Sequence, residues 1–457
     1  MPSLIGLIVT IAVVLILLRI DYLRAPENSP ALWIPTVWLL ISASRPVAAW
    51  FAISATAEEA DSSPMDQFVL IMLLALGLFI LSLRHINWRQ FFKENTWLIT
   101  LLWYFLLSTF WSEIQSVSIK RWIREFIAII MALVVLSEQN PLRAAESIFR
   151  RTAYILLPFS LLLIKYFPIY GVQWGRWSGE IMWIGVTMQK NGLGRLCMIS
   201  SFFLIWSLLQ RSQKKALSNR QYIAYADLLI LALSFILMFG PTVQAYSATA
   251  VTALLAGLAA YALRMYMKKY RIQSANLTFN IVLVLIIILG TTNIFIGGST
   301  VAGFSGVLGR DTTLTGRTDV WASLLPAVLG RFSFGHGFGG FWTNTTRKNY
   351  DISEAHSGYL DVLLETGLCG LLLFTLFLVA SSRKALKTSN LDYNWATLWI
   401  CYIFMAAIHN ITETSFTSLT SHLSAVILFL TVSSSHSTSF FNISKTKHIS
   451  VSRNEYT

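Results

Sequence analysis

The chain has 457 residues, 55% of them hydrophobic and only 12% charged, with a mean hydropathy of +0.60. A soluble domain carries about twice that charge, so these values exclude one. The formal net charge of +13 is spread over many short connections rather than gathered on one face, which argues against nucleic-acid binding.

Apolar runs recur from end to end, without the short alternating pattern of a barrel, and predict an all-α polytopic bundle of 12–14 transmembrane helices. In chain order the spans are 3–20, 31–51, 66–83, 97–111, 123–137, 152–167 and 192–210, then 223–240, 247–264, 277–296, 359–380, 395–411 and 417–433. The first lacks a basic n-region and a small-residue cleavage site, so it reads as a retained helix. One set of connections, from Arg24 to Lys445, Lys447 and Arg453, holds 21 of the 35 Lys and Arg residues. By the positive-inside rule that side is cytoplasmic. Residues 1–433 read as one transmembrane domain, and 434–457, rich in Ser, Thr and Lys, as a disordered cytoplasmic tail. Cys197, Cys369 and Cys401 fall in apolar spans without metal-binding spacing.

Three outer segments are too polar and aromatic to be plain turns: 111–121, 168–191 and the long loop 298–357. A loop of that length predicts function. Within it, Trp321, Leu324, Leu325 and Val328 recur at i, i+3, i+4 and i+7, predicting an amphipathic helix over 316–330 that lies at the membrane interface. The glycines of GHGFGGFW (335–342) mark a tight turn or a close backbone approach.

Cations left on the outer side need a reason, and Arg176, Lys190, Arg195 and Arg317 are the candidates for holding an anion such as phosphate. Headgroup contacts, or an Arg317–Asp319 pair, are the structural alternative. His356 comes next. Ser357 is placed to cap a helix starting near Gly358, leaving His356 just outside its first turn. A helix N-terminus disfavours imidazolium, so a neutral His356 suits general-base work on a hydroxyl; a capping or headgroup histidine is the plainer reading. Asp361 and Glu365 follow on one face of that helix, able to orient substrate or pair with an Arg. Glu413 lies near the outer end of the twelfth span, where a carboxylate faces a cavity or an ion partner. No set of residues reads as a metal site.

These residues carry a resemblance. His356, Ser357, Gly367 and Gly370 have the spacing of the O-antigen ligase signature: His, then Asn, Ser or Gln, nine residues, Gly, two residues, Gly. With GRTDVW (316–321) and GHGFGGFW before it, the chain resembles the O-antigen ligase and Wzy-type polymerase superfamily over roughly 95–430. MQKNGLG (188–194) and WSEIQSVSIKRWIREF (111–126) are similar to segments of its exopolysaccharide-polymerising members. One departure is AYSATA (245–250), which lacks the arginine common there.

The resemblance implies a bacterial inner-membrane glycosyltransferase, independent of metal and cofactor, with its active face in the periplasm. Its donor would be a glycan on undecaprenyl pyrophosphate, and its acceptor a glycan or lipid-linked repeat unit. Polysaccharide chain-length and export proteins would be partners. His356 would activate the acceptor hydroxyl, Arg317 would contact the pyrophosphate, and Arg176 and Lys190 would assist. An O-antigen ligase transferring to lipid A-core is one alternative. A transporter of lipid-linked glycans or solutes is another, although charge gathers here at the outer surface rather than at the midplane.

Overall fold

The structure, a computed structural model, describes residues 2–51, 63–174, 179–213, 221–241, 246–272, 275–296, 317–352 and 354–435. Its helices include, in chain order, α1 (Pro2–Arg24), α2 (Trp33–Ala43), α3 (Pro64–Ser82), α4 (Thr96–Ser108) and α5 (Gln115–Leu136), with short turns of helix at Trp88–Glu94 and Pro168–Gly171 left unnumbered. Then come α6 (Pro141–Tyr166), α7 (Lys190–Gln213), α8 (Gln221–Phe239), α9 (Ala248–Lys269) and α10 (Ala275–Phe295). The last five are α11 (Arg317–Gly330), α12 (Asn344–Tyr350), α13 (Gly358–Thr388), α14 (Tyr393–Thr412) and α15 (His422–Ser433). A two-stranded hairpin, β1 (Val172–Trp174) with β2 (Ile181–Trp183), is the sheet among the described residues. The protein is an all-α polytopic membrane protein.

Among the described residues, nine helices are long and apolar enough to cross a membrane: α1, α3, α6 to α10, α13 and α14. Three of the expected spans are shorter. The span expected over 31–51 stops at Ala43, just before Arg45 and Pro46, where proline removes a backbone donor and bars helical geometry in the residue before it. That expected over 97–111 is helical over 96–108 with one 3-10 turn after it. The span expected over 417–433 begins only at His422, and every residue of α15 is buried. Its ends are enclosed by protein, so its length need not match the bilayer.

At the core, α13 packs against α4, α10 and α14, while α14 also packs on α9 and α15 on α5 and α6. At the end that carries the cation-rich connections, a buried ionic network ties α1, α6 and α8. Arg151 Nε lies 2.7 Å from Asp21 Oδ2, Arg24 Nη1 lies 3.1 Å from Asp227 Oδ2, and Tyr154 donates to Asp227 at 2.5 Å. Removing one partner would strand a buried charge, so this network locks the relative positions of those helices.

The amphipathic helix forms as α11, but its apolar face does not lie on the membrane. Trp321, Leu324 and Val328 are buried, and the helix packs on α10 and α13. The stripe expected to meet lipid instead finds the bundle, because α13 presents an apolar flank of its own there. The tail beyond Ser435 and the loop residues 297–316 lie outside the described residues.

Candidate active site

The site is built around an interruption in α13. Gly367 has φ 64° and ψ −168°, a conformation open essentially to glycine alone. The groups released by the break are taken up by the glycine-rich segment: Leu368 N donates to Phe332 O at 2.8 Å, Cys369 N to Ser333 O at 3.1 Å, and His336 N to Leu364 O at 2.9 Å. Tyr104 Oη on α4 donates to Thr366 O at 2.7 Å. A Cβ at Gly367 would fall 2.5 Å from Phe334 N, and one at Gly370 would fall 1.9 Å from Thr366 Oγ1. Gly367 is therefore needed to bring the loop against the broken helix, while Gly370 leaves room for the Thr366 side chain one turn back.

The N-terminal half of α13 presents His356. Ser357 is the N-cap, its Oγ accepting from Leu360 N. His356 has φ 51°, unusual for a non-glycine residue. The preceding residue is held from both sides: Trp321 Nε1 donates to Ala355 O at 2.9 Å, and Ala355 N donates to Asp361 Oδ1 at 3.3 Å. Asp361 also accepts from Trp342 Nε1 at 2.7 Å and from Thr414 Oγ1 at 2.5 Å. Asp361 is thus committed to the frame behind the histidine. His356 Nδ1 lies 3.4 Å from Glu354 Oε1, with the imidazole partly open to solvent.

Glu413 gathers the neighbouring elements. Its backbone O accepts from Gly358 N at 3.0 Å, and its Oε1 accepts from Asn191 Nδ2 at 2.5 Å. Arg317, at the start of α11, donates to the same Oε1 at 2.5 Å and to Thr412 O. Burial pushes the Glu413 carboxyl up, and the Arg317 guanidinium pulls it back. Arg195 donates to Thr414 O and Ser415 Oγ, both at 3.1 Å, and Gln189 donates to Glu354 Oε1 at 3.2 Å. The MQKNGLG segment is thereby brought to the side of His356.

His356, Ser357, Arg317, Arg195 and Glu413 therefore converge, and Lys190 opens α7 beside them, half-buried. Glu365 stands apart, accepting from Gly339 N at 3.1 Å. Arg176 lies outside the described residues. His336 sits on the glycine segment with Nε2 3.2 Å from Ala327 O, and burial holds its imidazole below the ordinary value. Three residues that sequence reasoning passed over complete the site: Glu354, Gln189 and Asn191. The signal for each was adjacency, Glu354 two residues before the histidine and the other two inside MQKNGLG.

Glu354, His356 and Glu413 offer ligand atoms within 4.8 Å of one another, the spacing a cation could bridge. Arg317 already supplies positive charge to Glu413. The arrangement suits proton transfer at His356 beside an anion held by the cationic rim.

Residues 233–375 match the family model described as O-antigen ligase. Over that stretch the chain is similar to the O-antigen ligase family. The matched stretch contains Arg317, His356, Ser357, Gly367 and Gly370. The chain is also similar to the exopolysaccharide production protein ExoQ of Rhizobium meliloti (strain 1021), with 23% identity over 308 residues, 65% of this chain. It covers 66% of that protein's length. The likeness to exopolysaccharide relatives expected from the sequence is borne out. Arg45 is buried, and its guanidinium donates to the carbonyls of Tyr170 at 2.5 Å, Gly185 at 2.8 Å and Thr187 at 3.0 Å. It pins the segment that leads from the hairpin into α7.

Proposed function

We propose that the protein is a polysaccharide-assembling glycosyltransferase, moving a glycan from undecaprenyl pyrophosphate to an acceptor hydroxyl at the periplasmic face of the inner membrane. The observation that carries this reading is the meeting of His356 with Glu354 on one side and the Arg317–Glu413 pair on the other, with Arg317, Glu354 and His356 inside the stretch that matches the O-antigen ligase model.

In the mechanism, Glu354, 3.4 Å from Nδ1, orients the imidazole and leaves Nε2 as the proton acceptor. Nε2 takes the proton of the acceptor hydroxyl as its oxygen bonds to the donor's anomeric carbon. The bond from that carbon to the pyrophosphate oxygen breaks in the same displacement, and undecaprenyl pyrophosphate leaves with the electron pair. A guanidinium has five N–H donors. Arg317 uses two of its own on Thr412 and Glu413, leaving the others to face phosphate. Lys190 and Arg195 extend the cationic rim. Each well-placed contact to the leaving charge is worth about 2.7–4 kcal/mol, and the base adds about 10²–10⁴-fold. His356, Arg317 and the rim need no bound metal for these steps.

The name of the ExoQ relative favours an exopolysaccharide polymerase, whose acceptor is another lipid-linked repeat unit, over a ligase to lipid A-core. The polysaccharides of a deletion strain test this. Accumulation of single lipid-linked repeat units is expected, whereas full-length chains left unattached would contradict it.

A further inference from the structure

The far end of α9 holds a group of cations that the transfer step does not use. The helix starts beside the site, where the hydroxyls of Thr249 and Thr412 meet at 2.8 Å, and runs to the cation-rich end of the bundle. There it closes on RMYMKKYR (264–271), four cations and two tyrosines in eight residues. Arg264 is buried, with 2% of its surface exposed. Its Nη2 donates to Ser389 Oγ at 2.8 Å, while its Nε has no hydrogen-bond partner among the described residues. The guanidinium carbon lies 4.5 Å from the centroid of the Tyr393 ring, at the start of α14, and 5.5 Å from that of Phe279 on α10. Lys268 Nζ lies 4.6 Å from the same Tyr393 centroid. Lys268, Lys269 and Arg271 are exposed. None of the four cations forms an ion pair among the described residues.

Two features call for an anion here. Arg264 and Lys268 are an i, i+4 pair of like charge, an arrangement that destabilises a helix. A buried cation also needs a partner, and two aromatic faces with one hydroxyl replace only part of its lost hydration. The flank of α9 says which kind of anion fits. Leu255, Leu263, Tyr266 and Tyr270 are exposed and fall on one stripe of the helix. The stripe runs from leucines through tyrosines to lysines, the order in which a bilayer presents acyl chain, interface and headgroup. A free phosphate has no use for the stripe.

We propose that this end of α9 binds an anionic phospholipid. Its headgroup phosphate lies against Lys268 and Lys269 with the Arg264 charge behind them, and its acyl chains follow the Leu255–Tyr270 stripe. Basic pockets between membrane helices recognise headgroups in this way. The site is separate from His356 and Arg317, so it stands or falls independently of the transfer reaction.

Native mass spectrometry of the full chain, released from detergent after incubation with phosphatidylglycerol or phosphatidylethanolamine, tests it. The wild type is expected to retain phosphatidylglycerol about tenfold better than phosphatidylethanolamine. Lys268→Gln combined with Lys269→Gln should lower that retention about tenfold while thermal unfolding stays cooperative. Arg89→Gln removes an exposed cation of the same end, on the short Trp88–Glu94 turn, and should leave retention unchanged. Excess inorganic phosphate should not displace the lipid. Equal retention of the two lipids, retention unchanged in the double variant, an equal fall in Arg89→Gln, or displacement by inorganic phosphate overturns the proposal.

Discussion

Gly367→Ala is the sharpest structural perturbation available. The backbone there sits at φ 64° and ψ −168°, and the new Cβ would lie 2.5 Å from Phe334 N, Ser333 C and the backbone beyond. Residues forced into such a conformation cost about 1–3 kcal/mol. Displacing a packed backbone adds about 1–3 kcal/mol more, because the obstacle is main chain rather than a side chain that can rotate away. The sum, about 2–6 kcal/mol, is a large fraction of an ordinary domain's stability. The internal control is Gly330→Ala, at the end of α11, where an added Cβ meets nothing within 4 Å. Thermal unfolding of the two variants in the same detergent gives the comparison. Gly367→Ala should unfold at clearly lower temperature than the wild type, and Gly330→Ala close to it. Equal stability of all three proteins would refute the claim that the signature glycine holds the helix break.

Other expectations follow from the same geometry. Tyr104→Phe removes the hydroxyl that satisfies Thr366 O at the break and should cost about 0.5–1.5 kcal/mol in the same unfolding assay. Glu354→Gln keeps the shape but removes the charge beside Nδ1, so it should lower the transfer rate about tenfold or more without changing expression, measured as polymer per unit of protein. Because Arg317 pairs with Glu413 and supplies its counter-charge, prolonged EDTA treatment of the purified protein should leave transfer unchanged, and a loss restored by a divalent cation would count against this reading. Arg45→Ala should loosen the 168–191 segment, seen as protease cleavage there before the rest of the chain is cut, since three carbonyls lose their donor.

The sequence made some of this legible and hid the rest for physical reasons. Membrane helices announce themselves by composition, and the signature is local, its four residues lying on one helix and its cap. The convergence on Glu413 was not legible, because Asn191 and Glu413 are 222 positions apart and nothing in either stretch names the other. Periodicity showed that α11 has an apolar face but could not say whether lipid or α13 would cover it. Apolar length overran the second span, whose helix ends at Ala43 because the next turn is given over to Arg45 and Pro46. Asp361 reads from the sequence as able to orient substrate or pair with an Arg, whereas three donors within the protein claim its carboxylate.

The central claim is that His356 takes the acceptor's proton. It is tested most directly by purified protein in nanodiscs, supplied with an undecaprenyl-pyrophosphate-linked repeat unit, with release of undecaprenyl pyrophosphate followed over time. His356→Ala should fold normally and release it about 10²–10⁴-fold more slowly than the wild type, whereas release at the wild-type rate would contradict the account.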